Sequence, residues 1–246
     1  MMAEHGARAP QVVILAGGRG TRLGPLTAET PKVLLPVNGR PFLAEVLAYL
    51  ASQGVTRVHL CLGFGADRVL RFLDDRAPGG ITVTVTVEPS PLGTAGCLLM
   101  AKPYLADEFA VLVGDSYTPV ELSLLTAGYH AAGTEAAMVV LRNRDWLVPS
   151  NVQITDGLVT RYDKTAASGT LEYVDYGIAY LRRSALAWIA PAGPADLAAL
   201  FQALIARGEL AALEVSRRFY EIGSVEGYAE FCSYLHRTVL TRGAPA

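Results

Sequence analysis

The chain has 246 residues, 51% of them hydrophobic and 18% charged, which is the balance of an ordinary globular protein with a substantial core. Its formal net charge of -2 excludes a general affinity for nucleic acid or acidic membranes, so any anion site must be local. No apolar run approaches the roughly 20 residues that span a bilayer, and residues 1–10 lack the apolar segment of a signal peptide, which together favour a cytoplasmic protein without a membrane partner.

Apolar runs and helical periodicities alternate through the first half of the chain. Val12–Leu15 is typical of a buried strand that ends in a glycine-rich loop, and Ile81–Val87 alternates β-branched residues without interruption. The other strands predicted here are Arg57–Leu62, Phe109–Val113 and Ala136–Leu141, and the helices are residues 41–53, 66–73, 94–102 and 120–132. Strands that alternate with helices predict a Rossmann-like, doubly wound α/β fold of three layers, with a mostly parallel sheet.

The pattern changes after Pro149. Asp156-Gly157 lies between two short strand-like runs, Val152–Thr155 and Leu158–Tyr162, and is a strong signal for a two-residue hairpin. The remaining predicted elements are a strand at Tyr173–Leu181, helices near 184–189 and 196–207, strands at 210–215 and 218–222, and a helix from Ser224. The sequence therefore predicts a small antiparallel region beside the parallel sheet, within a single domain of residues 1–246.

The loop after the first strand carries the strongest chemical signal. It reads Leu15-Ala16-Gly17-Gly18-Arg19-Gly20-Thr21-Arg22-Leu23 and is followed by Pro31-Lys32. Glycines let backbone N–H groups approach phosphate oxygens closely, and Arg22 and Lys32 add positive charge that neutralises a triphosphate. The spacing fits neither a P-loop nor a dinucleotide-binding fingerprint, because Gly-Lys-Ser/Thr and the third glycine are absent, and this counts against a dehydrogenase.

These residues resemble the signature of sugar-1-phosphate nucleotidyltransferases. Three further segments resemble motifs of that family in the same order: Pro91–Gly96 its base-binding segment, Gly114-Asp115 its metal-binding strand end, and Tyr220–Ser224 its second metal segment. The resemblance implies transfer of a nucleotidyl group from an NTP to a sugar 1-phosphate, with release of pyrophosphate. It also implies a nucleotide-binding half at about 1–148, a sugar-binding and metal half at about 149–222, and a C-terminal helix at 223–240.

The resemblance assigns two carboxylates to Mg²⁺, those of Asp115 and Glu221. Asp115 ends an apolar strand, where a carboxylate has no packing purpose, and hard cations prefer such oxygen ligands. Glu221 stands where the family more usually has Asp, and a capping or salt-bridge role remains an alternative for it. The attacking phosphate oxygen is already an anion, so the reaction needs no general base and depends on positioning and charge neutralisation.

The catalytic cations implied by the resemblance are Arg22, at the pentacovalent phosphorus and the departing pyrophosphate, and Lys32, at the NTP phosphates or the nucleophilic phosphate. The residues implied to bind the nucleotide are Leu15, Gly17, Gly18, Gly20, Thr21, Glu88, Gly93 and Thr94. The residues implied to bind the sugar phosphate are Asn151, Lys164, Tyr176 and Gly177. For Lys164 a solvated surface lysine remains an alternative, and for Tyr176 a core aromatic.

Glu88 bears on the choice of base. A carboxylate accepts both the N1–H and N2–H donors of guanine, whereas it offers uracil or thymine one useful partner and faces their carbonyls with negative charge. GTP is therefore the predicted donor if Glu88 faces the base. A register slip of one residue would turn this side chain toward solvent instead.

The acceptor is inferred from resemblance alone. The segment Phe219–Ser224 looks most like that of heptose 1-phosphate guanylyltransferases, while mannose, glucose, N-acetylmuramic acid and cyclitol 1-phosphates, and other NTPs, stay open. A non-catalytic regulatory homologue would lack the equivalents of Arg22, Lys32 or Asp115, and all three are present. Related enzymes are commonly dimers or tetramers, so the resemblance also allows a homodimer or larger homo-oligomer.

The chain has three cysteines, an odd number, and they are widely scattered. Cys61 and Cys97 have apolar neighbours in the sequence, which predicts two small core residues without a disulfide or a metal.

Overall fold

The structure is a computed structural model that describes residues 9–76, 80–189 and 193–242. Residues 1–8 lie outside the described residues. They make up most of the segment in which the sequence predicts no signal peptide. The strands are β1 Gln11–Ala16, β2 Pro36–Val37, β3 Arg40–Pro41, β4 Arg57–Leu62, β5 Thr82–Val87, β6 Glu108–Val113, β7 Ser116–Tyr117, β8 Ala136–Arg142, β9 Val152–Thr155, β10 Leu158–Tyr162, β11 Tyr173–Arg182, β12 Leu210–Val215 and β13 Tyr220–Glu221. The α-helices are α1 Phe42–Ser52, α2 Ala66–Arg76, α3 Gly93–Ala101, α4 Leu122–Ala132, α5 Leu197–Ile205 and α6 Val225–Arg242.

The main sheet has nine strands in the order β5-β4-β1-β6-β11-β8-β12-β10-β9. Parallel pairing joins β5, β4, β1 and β6, and also joins β8 to β12. Between these two groups β11 runs antiparallel to both β6 and β8. The doubly wound α/β architecture is confirmed, and the glycine-rich loop follows a strand of the four-stranded parallel group.

Both faces of the sheet are covered by helices, which gives three layers. Val12 and Ile14 of β1 face a core that includes residues of α1 and α6, whereas Val13 and Leu15 face a second core with α3 and α5. A strand buried on both faces reads as a continuous apolar run, as β1 does. None of the helices in the described ranges combines the length and hydropathy needed to cross a bilayer.

The predicted hairpin forms at the far edge of the sheet. Asp156 and Gly157 both have left-handed backbone, with φ of 50° and 78°, as a type I′ turn requires. The hairpin is continuous with the main sheet, because β10 pairs with β12 and β9 also contacts β11. The antiparallel region is therefore an extension of the main sheet.

A separate two-stranded sheet joins the segment around residue 220 to the segment around residue 116. β7 pairs with β13, so that Glu221 lies opposite Ser116. The Ile222 N–H also donates to the carbonyl of Asp115 at 2.9 Å. The two carboxylates predicted to bind a metal are thereby brought to one point from 106 residues apart along the chain (221 minus 115).

Candidate active site

A cavity of about 340 Å³ opens where β1 and β6 end, beside the first turn of α3. Ligands of open α/β sheets bind at this edge, outside the carboxyl ends of parallel strands. The predicted site residues that line it are Leu15, Gly17, Gly18, Lys32, Glu88, Gly93, Thr94 and Asp115. Gly20, Thr21, Arg22 and Glu221 lie outside this lining.

Backbone hydrogen bonds hold the glycine-rich loop in place. Gly20 has a left-handed φ of 66°, which favours glycine, and its carbonyl accepts hydrogen bonds from the Leu23 N–H and the Thr27 hydroxyl at 3.0 and 2.9 Å. The carbonyl of Gly17 accepts a hydrogen bond from the Phe64 N–H at 3.2 Å. Thr21 begins a short 3-10 helix and is exposed, so it lies at the rim of the loop.

Two cations and a carboxylate meet where β6 ends. The Lys32 Nζ lies 2.5 Å from the Asp115 Oδ2, and both side chains are largely buried. Gly223 lies against the same group: a Cβ on this residue would stand 2.8 Å from the Arg22 Nη2 and 3.1 Å from the Asp115 Oδ2. Glycine therefore leaves the space that Arg22 and Asp115 occupy.

Glu221 completes a cluster of two positive and two negative charges. Burial raises the pKa of its carboxyl, and the neighbouring Asp115 carboxylate raises it further, whereas Arg22 and Lys32 lower it. A buried carboxyl whose charge is disfavoured by a neighbouring carboxylate is a familiar feature of cation sites. Within the described ranges, no group of three or more His, Cys, Asp or Glu side chains is arranged to hold a metal ion.

Glu88 turns toward the cavity, which answers the question of register that the sequence leaves open. Its Oε2 accepts a hydrogen bond from the Leu92 N–H at 2.9 Å. Its Oε1 lies between two glycines, 2.7 Å from where a Cβ would stand on Gly17 and 2.5 Å from the equivalent point on Gly63. The carboxylate thus has one oxygen fixed by the backbone and a second beside the glycine-rich loop.

The first turn of α3 packs against the segment before α5 and is hydrogen-bonded to the first residue of α5. Gly93 has a φ of 75°, and a Cβ there would lie 2.5 Å from the carbonyl oxygen of Ala195. The Thr94 hydroxyl accepts a hydrogen bond from the Leu197 N–H at 2.8 Å. The side chain of Thr94 is therefore engaged in the fold, although the residue lines the cavity.

None of the residues predicted to bind the sugar phosphate lines this cavity. The Asn151 Oδ1 accepts a hydrogen bond from the Asp175 N–H at 2.9 Å. The Lys164 Nζ lies 3.6 Å from an Asp196 oxygen, and its side chain is 55% exposed. Gly177 has a φ of 81°, and a Cβ on this residue would lie 2.6 Å from the Oγ of Ser116, the residue after Asp115.

Tyr176 does not face an open site. Its side chain is completely buried, and its ring packs edge-on against Phe219 with centroids 5.3 Å apart. In the structure Tyr176 is a core aromatic, which is the alternative that the sequence leaves open. Both faces of β11 are covered, so its side chains are buried whichever face they point to. The expected contact between its side chain and the sugar is therefore wrong for this conformation.

Asp175 is a buried carboxyl beside Gly177 that none of the sequence motifs identifies. Its carboxylate accepts hydrogen bonds from the Gly177 N–H at 2.9 Å and the Tyr162 hydroxyl at 3.0 Å. Burial raises the pKa of this carboxyl, while those two donors and Lys164 lower it. A charged residue inside the apolar run Tyr173–Leu181 is the signal that marks this position in the sequence.

The chain matches a known protein family over more than half of its length. The nucleotidyl transferase family matches residues 11–146, which include the glycine-rich loop and Asp115. Over 115 residues the chain is 34% identical to D-glycero-alpha-D-manno-heptose 1-phosphate guanylyltransferase of Campylobacter jejuni, an alignment that covers 47% of this chain and 52% of that protein. Over 236 residues it is 28% identical to mannose-1-phosphate guanyltransferase of Schizosaccharomyces pombe, covering 92% and 64% respectively. The chain thus spans between half and two thirds of the length of these relatives.

A solved structure resembles almost the whole chain. The crystal structure of HddC from Yersinia pseudotuberculosis has a TM-score of 0.79 at 26% identity, over 92% of this chain and 99% of that one. The structure of the same protein complexed with GMP-PN has a TM-score of 0.76 at 24% identity, which shows the shared fold.

Proposed function

Since this chain belongs to the nucleotidyl transferase family, we propose that it transfers a nucleotidyl group from an NTP to a sugar 1-phosphate and releases pyrophosphate. The observation that carries this proposal is the meeting of Arg22, Lys32, Asp115 and Glu221 beside a glycine-lined cavity. At about 340 Å³ the cavity falls within the usual size range of small-molecule sites. Its charged rim suits a triphosphate together with a divalent cation.

The reaction is an in-line displacement at the α-phosphorus of the NTP. An oxygen of the sugar phosphate forms the new P–O bond while the bond to pyrophosphate breaks. Backbone N–H groups of the loop at residues 17–20 bind phosphate oxygens. Arg22 neutralises charge on the pentacovalent phosphorus and the leaving group, and Lys32, whose stem packs against Gly20, binds the NTP phosphates.

Asp115 and Glu221 are the residues proposed to hold Mg²⁺. Their oxygen atoms are the donors that this cation prefers, and the like charge of Asp115 raises the pKa of Glu221, a penalty that a cation relieves. When bound, Mg²⁺ would supply positive charge that neutralises the triphosphate.

Guanine is the proposed base. Glu88 faces the cavity, and its Oε1 is a hydrogen-bond acceptor that guanine N1–H or N2–H would satisfy. The relatives named guanylyltransferase or guanyltransferase support the same choice. UTP and dTTP remain the alternatives, because the other oxygen of Glu88 is already held by the backbone of Leu92.

The proposed acceptor is a heptose 1-phosphate, by analogy with the Campylobacter jejuni relative. Asn151, Lys164 and Gly177 are the residues proposed to face it, and Gly177 lies against Ser116, the residue after Asp115. Mannose 1-phosphate is the alternative that the Schizosaccharomyces pombe relative supports. A cytoplasmic location and self-association stay predictions.

The test is a matrix of GTP, ATP, UTP, dTTP and CTP against heptose, mannose and glucose 1-phosphates with Mg²⁺, read by pyrophosphate release. We expect GTP with heptose 1-phosphate to give the highest kcat/KM. Asp115→Asn should lower kcat by on the order of 10²- to 10³-fold, as for a lost preorganised charge contact. Asp156→Asn in the exposed hairpin turn is the matched control and should leave kcat unchanged. No turnover with any pair, together with unchanged NTP binding in Asp115→Asn, would refute the proposal.

A further inference from the structure

The glycine-rich loop carries a second arginine that has no role in the charge cluster. Arg19 stands between Gly18 and Gly20, is exposed, and lines the nucleotide cavity. Its guanidinium carbon lies 5.4 Å from the centre of the Phe64 ring, within the range of a cation–π contact. The Phe64 N–H donates to the Gly17 carbonyl at 3.2 Å, so the ring is attached to the same loop. The guanidinium is therefore supported at the edge of the cavity.

Arg19 supplies positive charge that the rest of the cavity wall does not offer. Among the described residues that line the cavity, the cations are Arg19 and Lys32. Lys32 is paired with Asp115, whereas no salt bridge within the described ranges joins Arg19 to a carboxylate. Glu88 adds a carboxylate to the same wall. Because an NTP with a bound divalent cation still carries about two negative charges, the charge of Arg19 is available to balance it.

The order of the strands indicates where the leaving group departs. In an in-line displacement the attacking and leaving oxygens stand on opposite sides of the phosphorus. The sheet runs in the order β4-β1-β6-β11, with Asp115 after the end of β6 and Gly177, proposed to face the acceptor, in β11. With the reacting phosphorus at Asp115, an acceptor that attacks from the side of β11 expels pyrophosphate toward β1 and β4. The loops after these two strands carry Arg19 and Phe64.

We propose that Arg19 binds the β- and γ-phosphates of the NTP, which depart as pyrophosphate, and that Phe64 positions its guanidinium for them; this rests on the proposed function. A guanidinium donates parallel hydrogen bonds to phosphate oxygens, and its planar face stacks on an aromatic ring. Support by the ring reduces the freedom that the side chain loses on binding. A nucleoside monophosphate lacks both outer phosphates, so Arg19 distinguishes a triphosphate from a monophosphate.

The experiment measures the dissociation constants of GTP, GMP and inorganic pyrophosphate, each with Mg²⁺, by titration calorimetry on the full chain. We expect Arg19→Ala to weaken the binding of GTP and of pyrophosphate by about 10- to 100-fold, as for lost hydrogen bonds to a charged group, and to leave GMP binding unchanged. Arg68→Ala is the matched control. Arg68 is an exposed arginine in α2, close to Phe64 in the sequence, that lies 3.9 Å from a carboxylate oxygen of Glu29 and does not line the cavity. This control should keep all three constants of the wild type.

Phe64→Leu tests the positioning role, because leucine keeps an apolar side chain and removes the ring. We expect this substitution to weaken the binding of GTP and of pyrophosphate by about 2- to 5-fold, the size of an exposed cation–π contact. In an Arg19→Ala background it should have no further effect, since the guanidinium that it positions is absent. A ring that acted only on the packing of the loop would lower the affinity in both backgrounds, and that result would overturn the positioning role.

The role of Arg19 would be overturned if Arg19→Ala left GTP and pyrophosphate binding unchanged, or weakened GMP binding as much as GTP binding. Failure of the proposed function has a different signature, because the wild type then binds no NTP. The pyrophosphate titration still decides the role of Arg19 in that case, since it does not depend on the base. A wild type that binds no pyrophosphate would overturn this inference as well.

Discussion

Replacement of Gly223 by alanine tests the charge cluster without removing any of its charges. Gly223 is buried, and its backbone lies outside the left-handed region, so alanine introduces no backbone strain. The added methyl group would stand 2.8 Å from the Arg22 Nη2 and 3.1 Å from the Asp115 Oδ2. One of these two polar groups must move.

The size of that movement follows from contact distances. Ordinary contacts of a Cβ begin at 3.4 Å, so the guanidinium must retreat by about 0.6 Å (3.4 minus 2.8) and the carboxylate by about 0.3 Å (3.4 minus 3.1). Asp115 is held by Lys32, so Arg22 is the group expected to give way. Since a misplacement of about 1 Å costs on the order of 10²-fold in rate, we expect Gly223→Ala to lower kcat by roughly 10- to 100-fold.

The assay is pyrophosphate release under saturating substrates, with Tm measured on the same samples. Gly128→Ala is the matched control, because its added Cβ would stand 3.1 Å from the Leu213 Cδ2, a flexible side-chain end remote from the cavity. We expect this control to keep the kcat of the wild type. In an Arg22→Ala background, Gly223→Ala should have little further effect, because the group that it displaces is absent.

The reasoning would be refuted if Gly223→Ala kept full activity while Arg22→Ala lost it. It would also be refuted if the two substitutions had additive effects on kcat.

Three other expectations follow from single contacts. Glu88→Gln replaces an acceptor oxygen by a donor beside Gly17, so kcat/KM for GTP relative to UTP should fall by about 10- to 100-fold, and an unchanged ratio would exclude Glu88 from base selection. Thr94→Val removes the acceptor of the Leu197 N–H and should lower the free energy of unfolding in urea by about 1–2 kcal/mol. Hydrogen bonds, led by that from the Ser150 N–H, lower the pKa of Asp145 from 3.8 to about 2, so its carboxylate stabilises the fold above pH 3.8, and this contribution is lost as the pH falls through 2. Asp145→Asn should therefore have a lower Tm than the wild type at pH 7, and the Tm values of the two proteins should converge as the pH approaches 2. Equal Tm values at pH 7 would contradict this reasoning.

Local sequence patterns locate the secondary structure closely because each element carries its own signal. The predicted strand Arg57–Leu62 coincides with β4, and the Asp156-Gly157 turn lies at the tip of the predicted hairpin. The order of the strands carries no such signal. β11 inserts antiparallel between β6 and β8, and nothing within Tyr173–Leu181 specifies those two neighbours, because pairing is decided by packing between distant segments.

Packing between distant segments also decides which of the predicted site residues come together and which do not. Short motifs identify Arg22, Lys32 and Asp115 because a charged residue beside a glycine turn or at a strand end is conspicuous. The sequence does not predict the direction of the Tyr176 side chain. Both faces of β11 are covered, so neither set of alternate residues is polar enough to mark a solvent-facing side. The contact of Cys61 with Cys97 is likewise invisible in the sequence, because it exists only once α3 packs against β4.

The pairing of β7 with β13 has a consequence for the synthesis of the protein. The charge cluster combines residues from position 22 to position 221, and its second carboxylate arrives only with β13. A nascent chain that has already formed β1, its loop and β6 has a cavity wall but not the complete set of charges. Closing a connection of this length is entropically slow compared with local pairing. The charge cluster is therefore complete only after Glu221 has been synthesised, and a chain terminated before β13 would lack its second carboxylate.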